Sequence, residues 1–293
     1  MPIRSQVPLA GLTTLKVGGT AEFLAQPRSL EELLACWYWA QDQGLPVTVL
    51  GAGSNLLISD RGLGGLVLCT RYLRGTVWGT EGVITALAGE PLVKLAWQAS
   101  DRGWGGMEWA VGIPGTVGGM VYMNAGAQGG CCADILMSTQ LLTPQGQILT
   151  LPAKDLCLSY RYSALQGVYQ DYVLLSAELQ LKAGGDPQQI KQRTMANCQH
   201  RHSTQPYHLP SCGSVFRNPH PHVAGKLIDQ AGLKGYQIGQ AQVSLMHANF
   251  IVNLGGATAR EVYALMRHVQ AVIKDKYGIV LQPEVKMLGQ FDS

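Results

Sequence analysis

The stretch GIPGTVGGMVYMNAGAQG, residues 112–129, holds six glycines, two alanines and one proline among eighteen positions, and no charged residue. Glycine tolerates positive φ and lets a backbone approach a ligand with no Cβ in the way. The pairs Pro114-Gly115 and Gly118-Gly119 are expected to make turns, with Thr116, Tyr122 and Asn124 as the polar side chains before Gln128. A loop of this kind offers main-chain donors to a pyrophosphate and a close wall to a flat ring. The alternative is a tight glycine-rich crossover between packed elements.

About sixty residues upstream lies a second such segment, VTVLGAGSNLLISD, residues 47–60. A strand running into Gly51-Ala52-Gly53 invites comparison with a dinucleotide-binding fingerprint, but Leu56 stands where that pattern needs its third glycine. What remains is a Gly51-Ala52-Gly53-Ser54-Asn55 turn whose amides form a candidate anion-binding nest. An ordinary glycine turn between strands is the alternative reading. The two segments together are more specific than either alone.

The rest of the composition sets bounds. A chain of 293 residues with 46% hydrophobic and 14% charged residues can bury cores for two or three units of roughly 100 to 150 residues. No run of about 18 uncharged apolar residues could span a bilayer. The opening MPIRSQVPLAGLTTLK has no apolar segment of signal-peptide type. Seven cysteines without CxxC spacing suit a reducing compartment, so a cytoplasmic location is expected. With 22 basic against 19 acidic residues and no basic block, neither nucleic acid nor a membrane is an expected partner. A monomer is the default.

Helices and strands are mixed throughout. Ser29-Leu30-Glu31-Glu32 opens a helix that should end near Gly44, and Val47–Leu50 reads as a buried strand. Pro91 starts a helix whose Leu92, Leu95, Ala96 and Ala99 share a face before Gly103. Strand patterns fill residues 140–182, and Ala183-Gly184-Gly185-Asp186-Pro187 marks a boundary. A capping box at Thr258 and Glu261 opens the last helix, which buries Val262, Leu265, Met266, Val269, Val272 and Ile273 and stops at Gly278.

In this order the motifs resemble the UDP-N-acetylenolpyruvoylglucosamine reductase family. Besides the two glycine-rich segments they include Thr14-Leu15-Lys16-Val17-Gly18-Gly19, Tyr160-Arg161-Tyr162-Ser163, Ser211-Cys212-Gly213-Ser214-Val215-Phe216 and Leu281-Gln282-Pro283-Glu284-Val285. The resemblance implies an α+β chain: a two-lobed FAD-binding domain of the vanillyl-alcohol-oxidase-like (PCMH-type) fold, followed by a C-terminal α/β substrate domain. Residues 1–72 and 73–184 would be the FAD lobes and 185–293 the substrate domain. The implied reaction is FAD-dependent reduction of UDP-N-acetylglucosamine enolpyruvate to UDP-N-acetylmuramate with NADPH. Gly51, Ala52, Gly53, Ser54, Asn55, Gly115, Thr116, Gly118, Gly119, Asn124, Ala125 and Gly126 are the implied FAD contacts.

Hydride addition to the terminal enolpyruvyl carbon places negative charge on its neighbour and on the attached carboxylate. Arg161 matches the family's Tyr-Arg motif, and a guanidinium grips a carboxylate with two parallel hydrogen bonds; without the motif, a stacked surface arginine is the simpler reading. Glu284 behind Pro283 is expected to be partly desolvated, with a raised pKa that lets it donate to the developing enolate. Unaided by the motif it would be a solvated strand-end residue. Ser214 is the expected proton donor to the carbanionic carbon, although a serine there more commonly satisfies a local turn. Tyr160, Arg217, Asn218 and His247 align with substrate-contacting positions.

Two features set this chain apart from other members. Thr204 replaces a lysine that many relatives carry just before the Gln-Pro preceding the SCGS motif, and only 53 positions separate Arg161 from Ser214, as in the short form without an extra tyrosine-bearing loop. The histidines at 200, 202, 208, 220 and 222, with Cys198, read as solvated or ring-packed side chains, so no metal site is expected. No histidine precedes position 200, which excludes a histidyl tether in the FAD lobes and implies a dissociable flavin. Two other function classes stay open from sequence, an oxidase on the same scaffold and a non-catalytic sugar-nucleotide- or zinc-binding protein.

Overall fold

The computed structural model describes residues 3–291, in which short strands alternate with helices. The chain forms β1 (Arg4–Pro8), β2 (Thr20–Ala25), α1 (Leu30–Asp42), β3 (Val47–Leu50), β4 (Leu56–Ile58) and β5 (Leu63–Cys69). Then come β6 (Thr76–Trp78), β7 (Val83–Leu87), α2 (Leu92–Asp101), α3 (Val117–Met123), β8 (Gly126–Ala127) and β9 (Gly130–Cys131). β10 (Leu136–Leu142), β11 (Ile148–Pro152), β12 (Val173–Gln180) and α4 (Pro187–Thr204) follow. The last stretch holds β13 (Ser211–Ser214), α5 (Ala224–Gln230), β14 (Gln237–Ile238), β15 (Ala241–Val243), β16 (Phe250–Asn253), α6 (Ala259–Tyr277) and β17 (Lys286–Leu288).

Packing divides the chain into two compact units. One is built mainly from Ala25–Ala52 and Leu66–Arg201, the other from Arg4–Leu24, Gly53–Gly65 and the described residues from His202 onward. This differs from the division at 72 and 184 expected from the sequence. Residues 187–201 of α4 fall in the first unit, where Ile190 is buried. Leu15, Val17 and Leu57 belong to the core of the second.

In the first unit five antiparallel strands run in the order β11-β10-β12-β7-β6. The apolar face of α2 (Leu92, Leu95, Ala96, Ala99) and that of α3 (Val117, Met120, Val121) share one core with Ile84, Ala86, Leu141, Ala177 and Leu179 of the sheet. Each buried leucine of this kind stabilises the fold by about 1.5–3 kcal/mol relative to exposure. Helix α1 starts as expected, with Ser29 Oγ accepting the Glu32 amide at 3.1 Å. Glu32, however, reaches back to the Arg28 amide at 2.7 Å. Strand β3 pairs in parallel with β5, and only Leu50 of its four residues is buried, so the expectation of a fully buried strand is corrected.

The second unit has an antiparallel sheet ordered β13-β16-β15-β14, the parallel pair β4·β17 and the antiparallel pair β1·β2. Helix α6 carries both halves of the Thr258/Glu261 capping box and ends at Gly278 with φ +69°. The Asp60 carboxylate also accepts from the Ala259 and Arg260 amides at 2.8 and 2.9 Å, placing negative charge at the positive end of the helix. Its residues Val262, Leu265, Met266, Val269 and Ile273 pack with Ala241, Val243 and Ile251. Val272 lies at the margin of this core.

Candidate functional site

The glycine-rich stretch is more helical than its composition suggests. Thr116 caps α3 by accepting the Gly119 amide at 3.4 Å, so Gly118 and Gly119 form the first helical turn rather than the expected reverse turn. The Val117 amide donates to Glu90 O at 3.0 Å and the Gly118 amide to Ala88 O at 2.8 Å. A Cβ on Gly118 would stand 3.2 Å from the Ala88 carbonyl oxygen, which explains a glycine where helix and chain approach so closely. These bonds direct two amides at protein acceptors.

Thr116 also meets the upstream segment. A Cβ added to Gly51 would lie 3.0 Å from Thr116 Oγ1, so two segments 65 positions apart face one another in the first unit. The Ala52 carbonyl oxygen accepts from Arg71 Nη2 at 2.6 Å, which fixes that turn and brings a guanidinium beside it.

Arg161 sits at the centre of a two-residue turn. The Ser159 amide donates to Tyr162 O at 3.1 Å and the Tyr162 amide to Ser159 O at 3.0 Å. The second central residue has φ +57°, a conformation such turns usually fill with glycine or asparagine. A non-glycine residue held there signals strain imposed by its surroundings. Arg161 Nη2 donates to Gly126 O at 3.1 Å, and the guanidinium carbon lies 5.1 Å from the centre of the Tyr160 ring, itself 54% exposed. The buried Asn124, with φ +41° at the end of α3, donates to Ser159 O at 2.8 Å and accepts the Ala133 amide at 3.0 Å. Its side chain is therefore spent on protein contacts and connects α3 to the arginine turn. Two residues on, Gly126 O accepts the Arg161 guanidinium, and Ala125 O accepts the Cys132 amide.

In the second unit three motifs are knitted together. Gly53, at φ +68°, has its hypothetical Cβ only 2.3 Å from Leu12 O, and its carbonyl oxygen accepts from the Thr14 amide at 3.1 Å. Thr14 Oγ1 donates to Ser211 O at 2.7 Å. Gly213, at φ +79°, coincides with a register shift between Ser211 and Ser214 in the β13·β16 pair, a bulge that turns the strand just before Ser214. The atom nearest to a Cβ on Gly213 would be Ser54 O, at 4.0 Å. Asn55 Nδ2 donates to Glu284 O at 3.1 Å, while the Lys286 amide donates to Asn55 O at 2.9 Å.

Ser214 and Glu284 thereby come to lie on adjoining segments, since the Glu284 amide donates to Val215 O at 2.7 Å and the Arg217 amide to Gln282 O at 2.9 Å. Glu284 is half-buried. Burial pushes the neighbouring Cys212 thiol up to about 12, and the Glu284 charge contributes. Burial lowers the pKa of Lys286, helped by the positive charge of Arg217. Asn218 Oδ1 accepts the Ala224 amide at 3.0 Å at the start of α5. His247 Nδ1 accepts the Asn249 amide at 3.2 Å, and its ring meets Phe250 edge-on.

Sequence reading missed Asn249. This buried side chain accepts the Phe216 amide at 3.0 Å and donates to the Phe216 carbonyl oxygen at 2.7 Å, holding the backbone just beyond Ser214. It missed Lys286 and Gln166 as well. Nothing but a polar residue near a motif could have flagged them. Among the described residues no three His, Cys, Asp or Glu side chains gather as a metal-binding group, and His202 packs on the Tyr207 ring. No helix of the described residues is long and apolar enough to cross a membrane.

Comparison with known proteins agrees with this organisation. A family model described as FAD binding domain matches residues 21–152, and one described as UDP-N-acetylenolpyruvoylglucosamine reductase, C-terminal domain, matches residues 205–288. The UDP-N-acetylenolpyruvoylglucosamine reductase of Synechococcus elongatus is 54% identical over 290 residues, covering 99% of this chain and 95% of that protein. Its counterpart from a Nostoc species is 53% identical over 292 residues, or 99% and 88% of the two chains. The crystal structure of the Thermus caldophilus UDP-N-acetylenolpyruvylglucosamine reductase matches with a TM-score of 0.81 at 33% identity, covering 98% of this chain and all (100%) of that one. The expected α+β class, an FAD-binding domain followed by a distinct C-terminal domain, is borne out. With more than half its residues shared over nearly its full length, the protein belongs to the UDP-N-acetylenolpyruvoylglucosamine reductase family.

Proposed function

We propose that the chain reduces UDP-N-acetylglucosamine enolpyruvate to UDP-N-acetylmuramate in peptidoglycan precursor synthesis, with FAD as cofactor and NADPH as reductant. The relationship to reductases of that name over 99% of the chain carries the reading. The residues fit the cofactor: Gly51 and Thr116 face each other, and a Cβ on Gly51 would come within 3.0 Å of Thr116 Oγ1. Residues 1–72 and 73–184 serve as the lobes for FAD and 185–293 as the substrate region. Ala52, Gly53, Ser54, Asn55, Gly115, Gly118, Gly119, Asn124, Ala125 and Gly126 complete the proposed cofactor contacts. FAD, when bound, supplies the hydride that enters the enolpyruvyl double bond.

Arg161 grips the enolpyruvyl carboxylate and holds the charge that develops there, an effect worth roughly 10²–10³ in rate for one well-placed donor. Ser214 Oγ gives its proton to the carbon next to the carboxylate. Glu284, on the segment hydrogen-bonded to Val215, stabilises the enolate oxygen. Tyr160, Arg217, Asn218 and His247 orient the sugar nucleotide. The protein works as a cytoplasmic monomer with a dissociable flavin, which light scattering and acid precipitation test.

Anaerobic mixing tests the reaction. NADPH should bleach the flavin and the enolpyruvyl sugar nucleotide should restore its colour. Rapid return of the colour with air in place of the sugar nucleotide would instead indicate an oxidase. In Ser214→Ala, bleaching should proceed at the parent rate while restoration slows by about 10² or more. Restoration at the parent rate would remove Ser214 as the donor.

A further inference from the structure

One carbonyl oxygen at the end of α3 collects the fastenings of the Arg161 turn. Tyr122 O accepts from Ser163 Oγ at 2.8 Å and from Gln166 Nε2 at 2.7 Å. The same Gln166 nitrogen lies 3.2 Å from Arg161 O, so one amide group bridges the helix end and the arginine backbone. Ser163 is fully buried, whereas Gln166 is half-buried. On the other side of the turn, Asn124 holds Ser159 O. The helix between these contacts and Thr116 has seven residues, a rise of about 10 Å.

A left-handed backbone is unfavourable for a residue with a Cβ and persists where neighbours over-determine it. The Gln166 side chain that bonds Arg161 O also bonds Tyr122 O of α3. From this geometry we infer that Gln166 is a positioning residue for the reduction of the sugar nucleotide: it locks Arg161 at φ +57° and so sets the guanidinium at a fixed distance from the Gly51–Thr116 face. The inference rests on the proposed role of Arg161 in holding the substrate carboxylate. Displacing such a grip by about 1 Å is enough to slow a reaction some 10²-fold.

The experiment separates the two half-reactions by anaerobic stopped-flow on flavin-loaded protein. Gln166→Met keeps the size and removes the donor. Flavin bleaching by NADPH should stay within about twofold of the parent, while restoration by the enolpyruvyl sugar nucleotide slows about 10- to 100-fold. Adding Gln166→Met to Arg161→Lys should change restoration by less than about twofold, because the group being positioned is already gone. Restoration at the parent rate in Gln166→Met, equal slowing of both half-reactions, or full additivity with Arg161→Lys would each overturn the inference. An unaltered restoration rate in Arg161→Lys alone would instead remove the underlying reading of Arg161, and the inference with it. Should Gln166→Met lose its flavin, Gln166→Glu serves in its place. Its carboxylate faces two carbonyl oxygens and should slow restoration at least as much, and restoration at the parent rate would again overturn the proposal.

Discussion

Asn55 and Glu284 stand 229 positions apart, and the side-chain amide of the first donates to the carbonyl oxygen of the second at 3.1 Å. The return bond, from the Lys286 amide to Asn55 O at 2.9 Å, makes this a two-point fastening. It ties the end of the GAGSN turn to the segment that carries the proposed enolate-stabilising carboxylate. Asn55→Ala removes the first bond and leaves the second. Denaturant titration should show a loss of about 1 kcal/mol, and restoration of flavin colour by the sugar nucleotide should slow. Parent stability together with a parent restoration rate would show that the fastening does not matter.

The two glycines of Gly51-Ala52-Gly53 should respond differently to alanine. At Gly53 the new Cβ meets the Leu12 carbonyl oxygen at 2.3 Å in a positive-φ conformation, and backbone has nowhere to go. Gly53→Ala should fold poorly or lose several degrees of melting temperature. At Gly51 the Cβ meets Thr116 Oγ1 at 3.0 Å, a side-chain atom that can rotate. Gly51→Ala should therefore stay folded and bind FAD more weakly, as read by quenching of flavin fluorescence.

Glu108 links stability to pH. Burial alone would raise its pKa, but hydrogen bonds from its own amide, the Arg193 guanidinium and the Gly106 amide outweigh burial and hold the carboxyl below the usual range. Arg193 Nη2 lies 2.9 Å from Glu108 Oε1 and the Gly106 amide 2.6 Å from Oε2. Because the folded pKa is depressed, the stabilisation is present above the unfolded value of about 4.3 and is lost as pH falls through the folded value. Glu108→Gln should be less stable than the parent at pH 7, and the gap should close in acid. A gap that persists undiminished at about pH 3 would contradict the assignment.

Alkylation should sort the cysteines by burial. Burial pushes Cys36 up to about 11 and Cys212 up to about 12, and raises Cys69 and Cys132 as well, so these four present little thiolate. Cys157 is exposed. Brief treatment with iodoacetamide at pH 8, followed by peptide mass spectrometry, should find Cys157 modified and those four intact until denaturant is added.

Elements with strong local signals were legible in the sequence. The Thr258/Glu261 box and the Pro91 start appear where capping residues placed them, and the strands expected in residues 140–182 appear as β10, β11 and β12, the first starting four residues early at Leu136. Helix α3 was not, because two adjacent glycines argue against a helix at about 1 kcal/mol each, and what supports it is non-local: the Thr116 cap and the bonds to Ala88 and Glu90. The partition into units was hidden for a similar reason, since Leu15 and Leu57 find their core partners some 200 residues downstream. Arg161, Ser214 and Glu284 could be named from motifs, yet the side chains that set their backbones could not. Asn249 and Gln166 spend their amides on main-chain groups, and a polar side chain bonded to backbone leaves no pattern in the sequence.

The scattered make-up of the second unit has a consequence during synthesis. Leu15, Val17 and Leu57 leave the ribosome early, while Leu281 and Val285, which close the same core, follow more than 200 residues later. At 5–20 residues per second the wait is about 10–40 s. Through that interval the nascent chain carries these leucines and valine without the partners that finally cover them, so its early segments are natural clients for a chaperone.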